Sequence, residues 1–135
     1  MNEQQYMHIR PMAKFLSCLM LTVFLVLSIP MTVSAKKLNK RDGVNYFGRQ
    51  KETYYNLNMS RIYERADRNF GSHHRTWTRE DGVKMYGPYV VLAVPFDVYP
   101  YGTTDIPTSL GLGIALDTGA FAETNKNQID IATSW

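Results

Sequence analysis

Three aspartates in the last third of the chain, Asp97, Asp117 and Asp130, each fall at a strand end or turn, in the stretches AVPFDVYPYGT (93–103), GIALDTGAF (113–121) and QIDIATSW (128–135). Carboxyl groups gathered by a fold do acid–base work, one holding a proton while another stands ionised. Asp117-Thr118-Gly119 is also the kind of turn by which aspartic proteases deliver each of two carboxylates to one shared proton, about 3 Å apart. That chemistry needs a second such turn, a flap hairpin and a further apolar segment after the motif, and 16 residues follow Gly119. The proteolytic reading fails for want of chain. Asp-Thr-Gly is also a good turn in its own right, because Asp and Thr side chains bond nearby backbone N–H groups and Gly tolerates positive φ. A structural role for Asp97 and Asp117 therefore stands beside the chemical one.

Other residue clusters carry weaker chemistry. His73 and His74 are adjacent, so they point in different directions, and no Cys or carboxylate completes a metal site at useful spacing. They read as a solvated loop, with no metal and no cofactor implied. Trp77, Tyr86, Tyr89, Tyr99 and Tyr101 could offer aromatic faces to a sugar ring or fill a core. Tyr99 and Tyr101 alternate around Pro100 close to the aspartates and are the better candidates for ligand contact.

The elements that must position these groups begin after residue 35. Arg10 and Lys14 precede an apolar run from Phe15 to Ile29, and Val33-Ser34-Ala35 supplies small residues ahead of Lys36-Lys37. This is the pattern of a secretory signal peptide over 1–35, and an uncleaved membrane anchor is the alternative. The single cysteine, Cys18, lies inside it, so the exported domain is held by its own core without disulfides. Beyond it, residues 36–84 carry 12 basic and 6 acidic side chains, and residues 85–135 carry one basic and five acidic. A basic flank beside an acidic half rests on its neighbour or on an anionic wall polymer. Without aromatic interleaving it does not suggest nucleic-acid binding.

Residues 36–53 are polar and Gly-containing without periodicity and read as a linker. Ile62, Tyr63, Ala66 and Phe70 recur at near-helical spacing and predict an amphipathic helix over about 59–69, opened by Asn58 or Ser60 and closed by Gly71. Asp81-Gly82 between strand-forming residues predicts a hairpin with a two-residue loop. Tyr89 to Val94 reads as a strand buried on both faces, followed by strands over Gly113 to Leu116 and Gln128 to Ala132. Short strands separated by Gly and Pro, with one helix, indicate a mainly β fold, a small barrel or closed sheet.

The ordered set Asp97, Pro100, Gly102-Thr103, Asp117-Thr118-Gly119 and Asp130 resembles the 3D (three-aspartate) domain family. That family is related to the double-psi β-barrels of membrane-bound lytic transglycosylase A, rare lipoprotein A and expansins. Val98 stands where the family has Pro, and Ala120 replaces the second Gly. The resemblance implies a six-stranded double-psi-like β-barrel in residues 54–135 with one short N-terminal amphipathic helix. It also implies cleavage of peptidoglycan or another cell-wall glycan outside the cell. Asp130 would be the general acid/base, with Asp117 assisting and Asp97 as the third carboxylate, while Tyr99, Tyr101, Thr118 and Gly119 would contact substrate. Such cleavage requires a carboxyl group that protonates the leaving oxygen and then accepts a proton from the attacking hydroxyl. The alternative is a barrel that binds wall polysaccharide or a partner without catalysis.

Overall fold

The computed structural model describes residues 36–135. The export segment read over 1–35 lies outside them. In chain order the elements are β1 (Asn45–Phe47), β2 (Gln50–Tyr55), α1 (Ser60–Phe70), β3 (Thr76–Thr78), β4 (Lys84–Tyr86), β5 (Tyr89–Ala93), β6 (Ile106–Thr108), β7 (Gly111–Asp117), α2 (Phe121–Thr124) and β8 (Gln128–Ala132). No helix among the described residues is long and apolar enough to cross a membrane.

The fold is mainly β, and its eight strands, against the six expected, join one open mixed sheet. The path runs β1-β2-β8-β5-β4-β3, and β7 pairs with both β5 and β6. Most neighbours are antiparallel, while β2 with β8 and β5 with β7 are parallel. The segment expected to be a linker, 36–53, supplies β1 and the first part of β2. It is anchored by Leu38, Asn45 and Glu52, all buried. Two of those three are polar, so hydrophobic periodicity could not reveal the segment. Glu52 is fully buried because Asn45 Nδ2, the Ser109 N–H and the Ser109 hydroxyl all donate to its carboxylate, which offsets the loss of water.

β5 is the hub. It pairs with β4 at its start, with β8 at its end and with β7 along its other side, and the residues from Val90 to Val94 are all buried. Val90, Leu92 and Val94 meet Ala115, Ile129 and Ile131 in one core, while Val91 meets Ile114, Leu116 and Ala132 in a second. Helix α1 covers the second core with Ile62 and Ala66, its start carrying no side-chain cap and its end closed by left-handed Gly71.

The β3–β4 hairpin has a three-residue loop where two residues were expected. Arg79 N–H donates to Val83 O at 2.8 Å and Gly82 N–H to Arg79 O at 2.9 Å, with Gly82 at φ +84. A left-handed glycine closing a three-residue loop keeps the twist of the strands. The Trp135 indole donates to Asp81 O at 2.6 Å and lies so close that a Cβ on Gly82 would stand 2.5 Å from it.

Candidate active site

Asp117 and Asp130 reach one face of the sheet from opposite sides of β5. Ala93 is in register with Asp117 on β7 and with Asp130 on β8, and Asp130 is in register with Thr53 on β2. Thr53, Asp130, Ala93 and Asp117 thus form one row across four strands. Residues in register project to the same side, and the two aspartate α-carbons are two strand spacings apart, roughly 9–10 Å. No hydrogen bond joins the two carboxylates among the described residues, unlike a proton-sharing dyad.

A break in register makes this row. Ile114 and Leu116 face the core beneath α1 and Ala115 faces the other core, so simple alternation would send Asp117 after Ala115. The pairing of β5 with β7 shifts between Leu92 and Ala93, moving the partner from Ala115 to Asp117. One extra residue turns every later side chain to the opposite face, and Asp117 joins Asp130.

The two carboxylates have different partners. Asp117 Oδ2 accepts a hydrogen bond from the Tyr55 hydroxyl at 3.3 Å, and its Oδ1 lies 4.0 Å from Arg65 Nη2. Arg65 is held in place by donating to Leu116 O at 2.6 Å, with its guanidinium 5.1 Å from the Tyr101 ring centroid. Among the described residues Asp130 has no ion-pair partner. Its Oδ1 accepts from the Thr53 hydroxyl and from Gln128 Nε2 at 3.0 Å, and Oδ2 takes no protein partner among the described residues. Burial first, then the charge of Asp117 and the bond to it, then the charge of Asp130, push the Tyr55 hydroxyl above the usual tyrosine range. It stays protonated and donates.

Comparison with family models, curated proteins and solved structures finds no match to this chain.

The remaining expected site residues are distributed differently. Thr118 is exposed and Gly119 half-buried where β7 gives way to α2, and a Cβ on Gly119 would press on the Phe121 ring at 3.0 Å. Asp97 stands apart from the pair: both Val98 and Tyr99 N–H groups donate to Pro95 O, a turn that leaves Asp97 61 % exposed and paired with Lys126 Nζ at 2.7 Å. The bond from Lys126 holds its carboxyl below the ordinary aspartate range. Tyr99 packs against the core, and Tyr101 lies within an aromatic group, 5.9 Å from Phe70 and 5.8 Å from Phe96 between ring centroids. The Tyr101 hydroxyl is buried with no hydrogen-bond partner among the described residues. Asp67 separates the histidines. His73 Nδ1 pairs with its carboxylate, while the His74 ring lies 4.9 Å from that of Tyr86. Among the described residues no cluster of three or more His, Cys, Asp or Glu is placed to hold a metal ion.

Sequence reasoning missed Thr53, Tyr55, Arg65 and Gln128. The one available signal was local: Gln128 and Asp130 stand two apart on a strand, hence on one face. Thr53 and Tyr55 share that spacing, but their segment did not read as a strand.

Proposed function

We propose that the protein is an exported cell-wall enzyme that cleaves peptidoglycan glycan strands in the manner of a lytic transglycosylase, on a sheet related to the double-psi β-barrels. The observation that carries this reading is the unequal pairing of Asp117 and Asp130 on one face. Asp117, beside the Arg65 cation and under the Tyr55 donor, stabilises positive charge that develops at the sugar. Asp130, held by neutral donors on one oxygen only, gives a proton to the leaving glycosidic oxygen through Oδ2. It then accepts the proton of the sugar's own 6-hydroxyl as that oxygen closes on the anomeric carbon. No enzyme nucleophile is needed, and the acid ends as it began. The interlocking of two parallel pairs, β2 with β8 and β5 with β7, through antiparallel β5–β8 supports the barrel relationship.

The test is incubation of the protein with peptidoglycan beside an Asp130→Asn variant, with released fragments identified by mass spectrometry. Fragments ending in 1,6-anhydro-muramic acid, absent with the variant, are expected. Their absence from wild-type digests of several wall types would sink the cleavage chemistry. A second reading, a wall-glycan-binding module without cleavage, is favoured by one observation. The groove beside Trp77 is lined by none of Asp117, Asp130, Tyr55 or Arg65.

A further inference from the structure

The face that carries Asp117 and Asp130 does not end at β2. Asn45 on β1 is in register with Glu52 on β2 and donates to it at 2.8 Å on the buried side, and Gln50 Nε2 donates to Pro107 O at 3.1 Å on that same side. Alternation turns Lys51 and Thr53 to the opposite side, together with Tyr46, which is in register with Lys51. There the Thr53 hydroxyl meets Asp130. The surface of the aspartate row thus continues to the free edge of β1. Lys51 and Tyr46 are one and two strands across from Asp130 and two residues along, which sets their α-carbons roughly 8 Å and roughly 12 Å from its own.

Neither side chain is used up by the fold. Tyr46 is 67 % exposed, more than any other large hydrophobic side chain among the described residues. Lys51 is half-buried, yet its ammonium makes no hydrogen bond or ion pair among the described residues. Gln128, its register partner on β8, gives its amide to Thr53 at 3.2 Å and to Asp130 at 3.0 Å. That cluster is closed without Lys51. An exposed tyrosine ring offers a flat apolar surface to the C–H face of a pyranose and a hydroxyl to its margin. An ammonium beside the ring selects charge, because a charge-assisted bond to a carboxylate is stronger than one to a neutral hydroxyl. The open Oδ2 of Asp130 lies further along the same surface. A single sugar does not reach from Tyr46 to Asp130, whereas a short oligosaccharide laid across the strands does.

We propose that Tyr46 and Lys51 form a subsite for a carboxylate-bearing pyranose unit of a glycan strand that crosses β1, β2 and β8 toward the aspartates. The identity of that unit as N-acetylmuramic acid, whose lactyl arm ends in a carboxylate, rests on the function proposed above; the juxtaposition of ring, ammonium and open face does not. The test is isothermal titration of the full chain carrying Asp130→Asn, which prevents turnover, with two tetrasaccharides. In one, N-acetylmuramic acid with free lactyl carboxylates alternates with N-acetylglucosamine; the other is N-acetylglucosamine alone. The acidic tetrasaccharide is expected to bind more tightly. Tyr46→Ala should weaken both by about tenfold, the scale of a lost aromatic contact. Lys51→Gln should weaken only the acidic one, by about threefold to fivefold, the upper part of the range for an exposed ion pair. Tyr46→Phe and Lys51→Arg keep the ring and the charge, so retained affinity in both shows that the losses do not come from a damaged sheet edge. No binding of either sugar, or binding that Tyr46→Ala and Lys51→Gln leave unchanged, would overturn the subsite. Equal weakening of both sugars by Lys51→Gln would overturn its choice of an acidic unit. If the variants weaken binding as expected while no wall fragments appear with wild type, the subsite stands and the cleavage chemistry falls. If fragments are released while binding is indifferent to Tyr46 and Lys51, the cleavage chemistry stands and the subsite falls.

Discussion

Glu52 and Asp130 are carboxylates one register step apart on the paired strands β2 and β8, where Glu52 meets Ile129 and Thr53 meets Asp130, and they face opposite sides of the sheet. Glu52 has no exposed surface and three donors, and the Ser109 hydroxyl that serves it also accepts the Leu38 N–H at 2.9 Å. Asp130 is half-buried, with both donors on one oxygen. A carboxylate saturated by its own fold is a fastener. One left with a free oxygen toward solvent is available to a substrate. Both are reached by alternation along the same two strands, so the difference lies in the neighbours and not in the residue type.

The sharpest way to break this comparison is Glu52→Ala. It strands the Ser109 N–H, the Ser109 hydroxyl and the Asn45 amide in the interior, and each buried group left unsatisfied costs about 1–3 kcal/mol. A loss of about 3–5 kcal/mol in a urea unfolding curve is expected, a large part of the whole stability of a small domain. A loss below about 1 kcal/mol would mean that the β1–β2 segment is not fastened there. Asp130→Asn should do the opposite. It keeps the shape, moves stability by less than about 1 kcal/mol, and lowers the rate of fragment release by about 10²–10⁴, the range typical of a lost general acid.

The same contrast explains which parts of the molecule could be read from sequence. β5 and β8 were legible because Val90 to Val94 form an apolar run and Ile129 and Ile131 alternate with a polar residue, as buried strands do, and α1 because Ile62 and Ala66 recur at helical spacing. β2 was not, since its one fully buried residue is Glu52 and the residues on either side of it, Lys51 and Thr53, are polar. Burial there is achieved by hydrogen bonds that arrive from residue 109, far along the chain. Asp117 and Asp130 could be named from their motifs, but what puts them on one face is the shift between Leu92 and Ala93. A bulge of that kind leaves no mark in side-chain type. Arg65 lies off the apolar stripe of α1, and its partners, Leu116 O and Asp117, come from a strand some fifty residues on.

Within the open site, Arg65→Ala and Tyr55→Phe separate charge from hydrogen bonding at Asp117. The Arg65 side chain is 44 % exposed and 4.0 Å from the carboxylate, so the pair contributes only about 0.2–1 kcal/mol to stability. Its effect on turnover should be larger than its effect on unfolding. Removing the Tyr55 hydroxyl should lower kcat by about tenfold, the worth of a hydrogen bond of about 1.4 kcal/mol. An unchanged kcat would mean that this bond to Asp117 takes no part in turnover.

The smallest expected effect concerns a third carboxylate, which shares features of both. Asp67 on α1 accepts the Tyr86 hydroxyl at 2.6 Å and the His74 N–H at 3.4 Å, and pairs with His73. The Tyr86 bond above all holds its carboxyl below the ordinary aspartate range, with the His74 N–H and the His73 ring adding to it against partial desolvation. An unfolded aspartate titrates near about 3.9. Above that pH the stabilisation is fully present; as pH falls through the lower folded value it is lost, because the folded state must take up a proton the unfolded chain has already bound. Asp67→Asn should therefore lower Tm at pH 7, and the gap from wild type should close as the melts are repeated at successively lower pH below about 4. A gap that stays constant would place Asp67 with Glu52, as a group whose shape matters more than its charge.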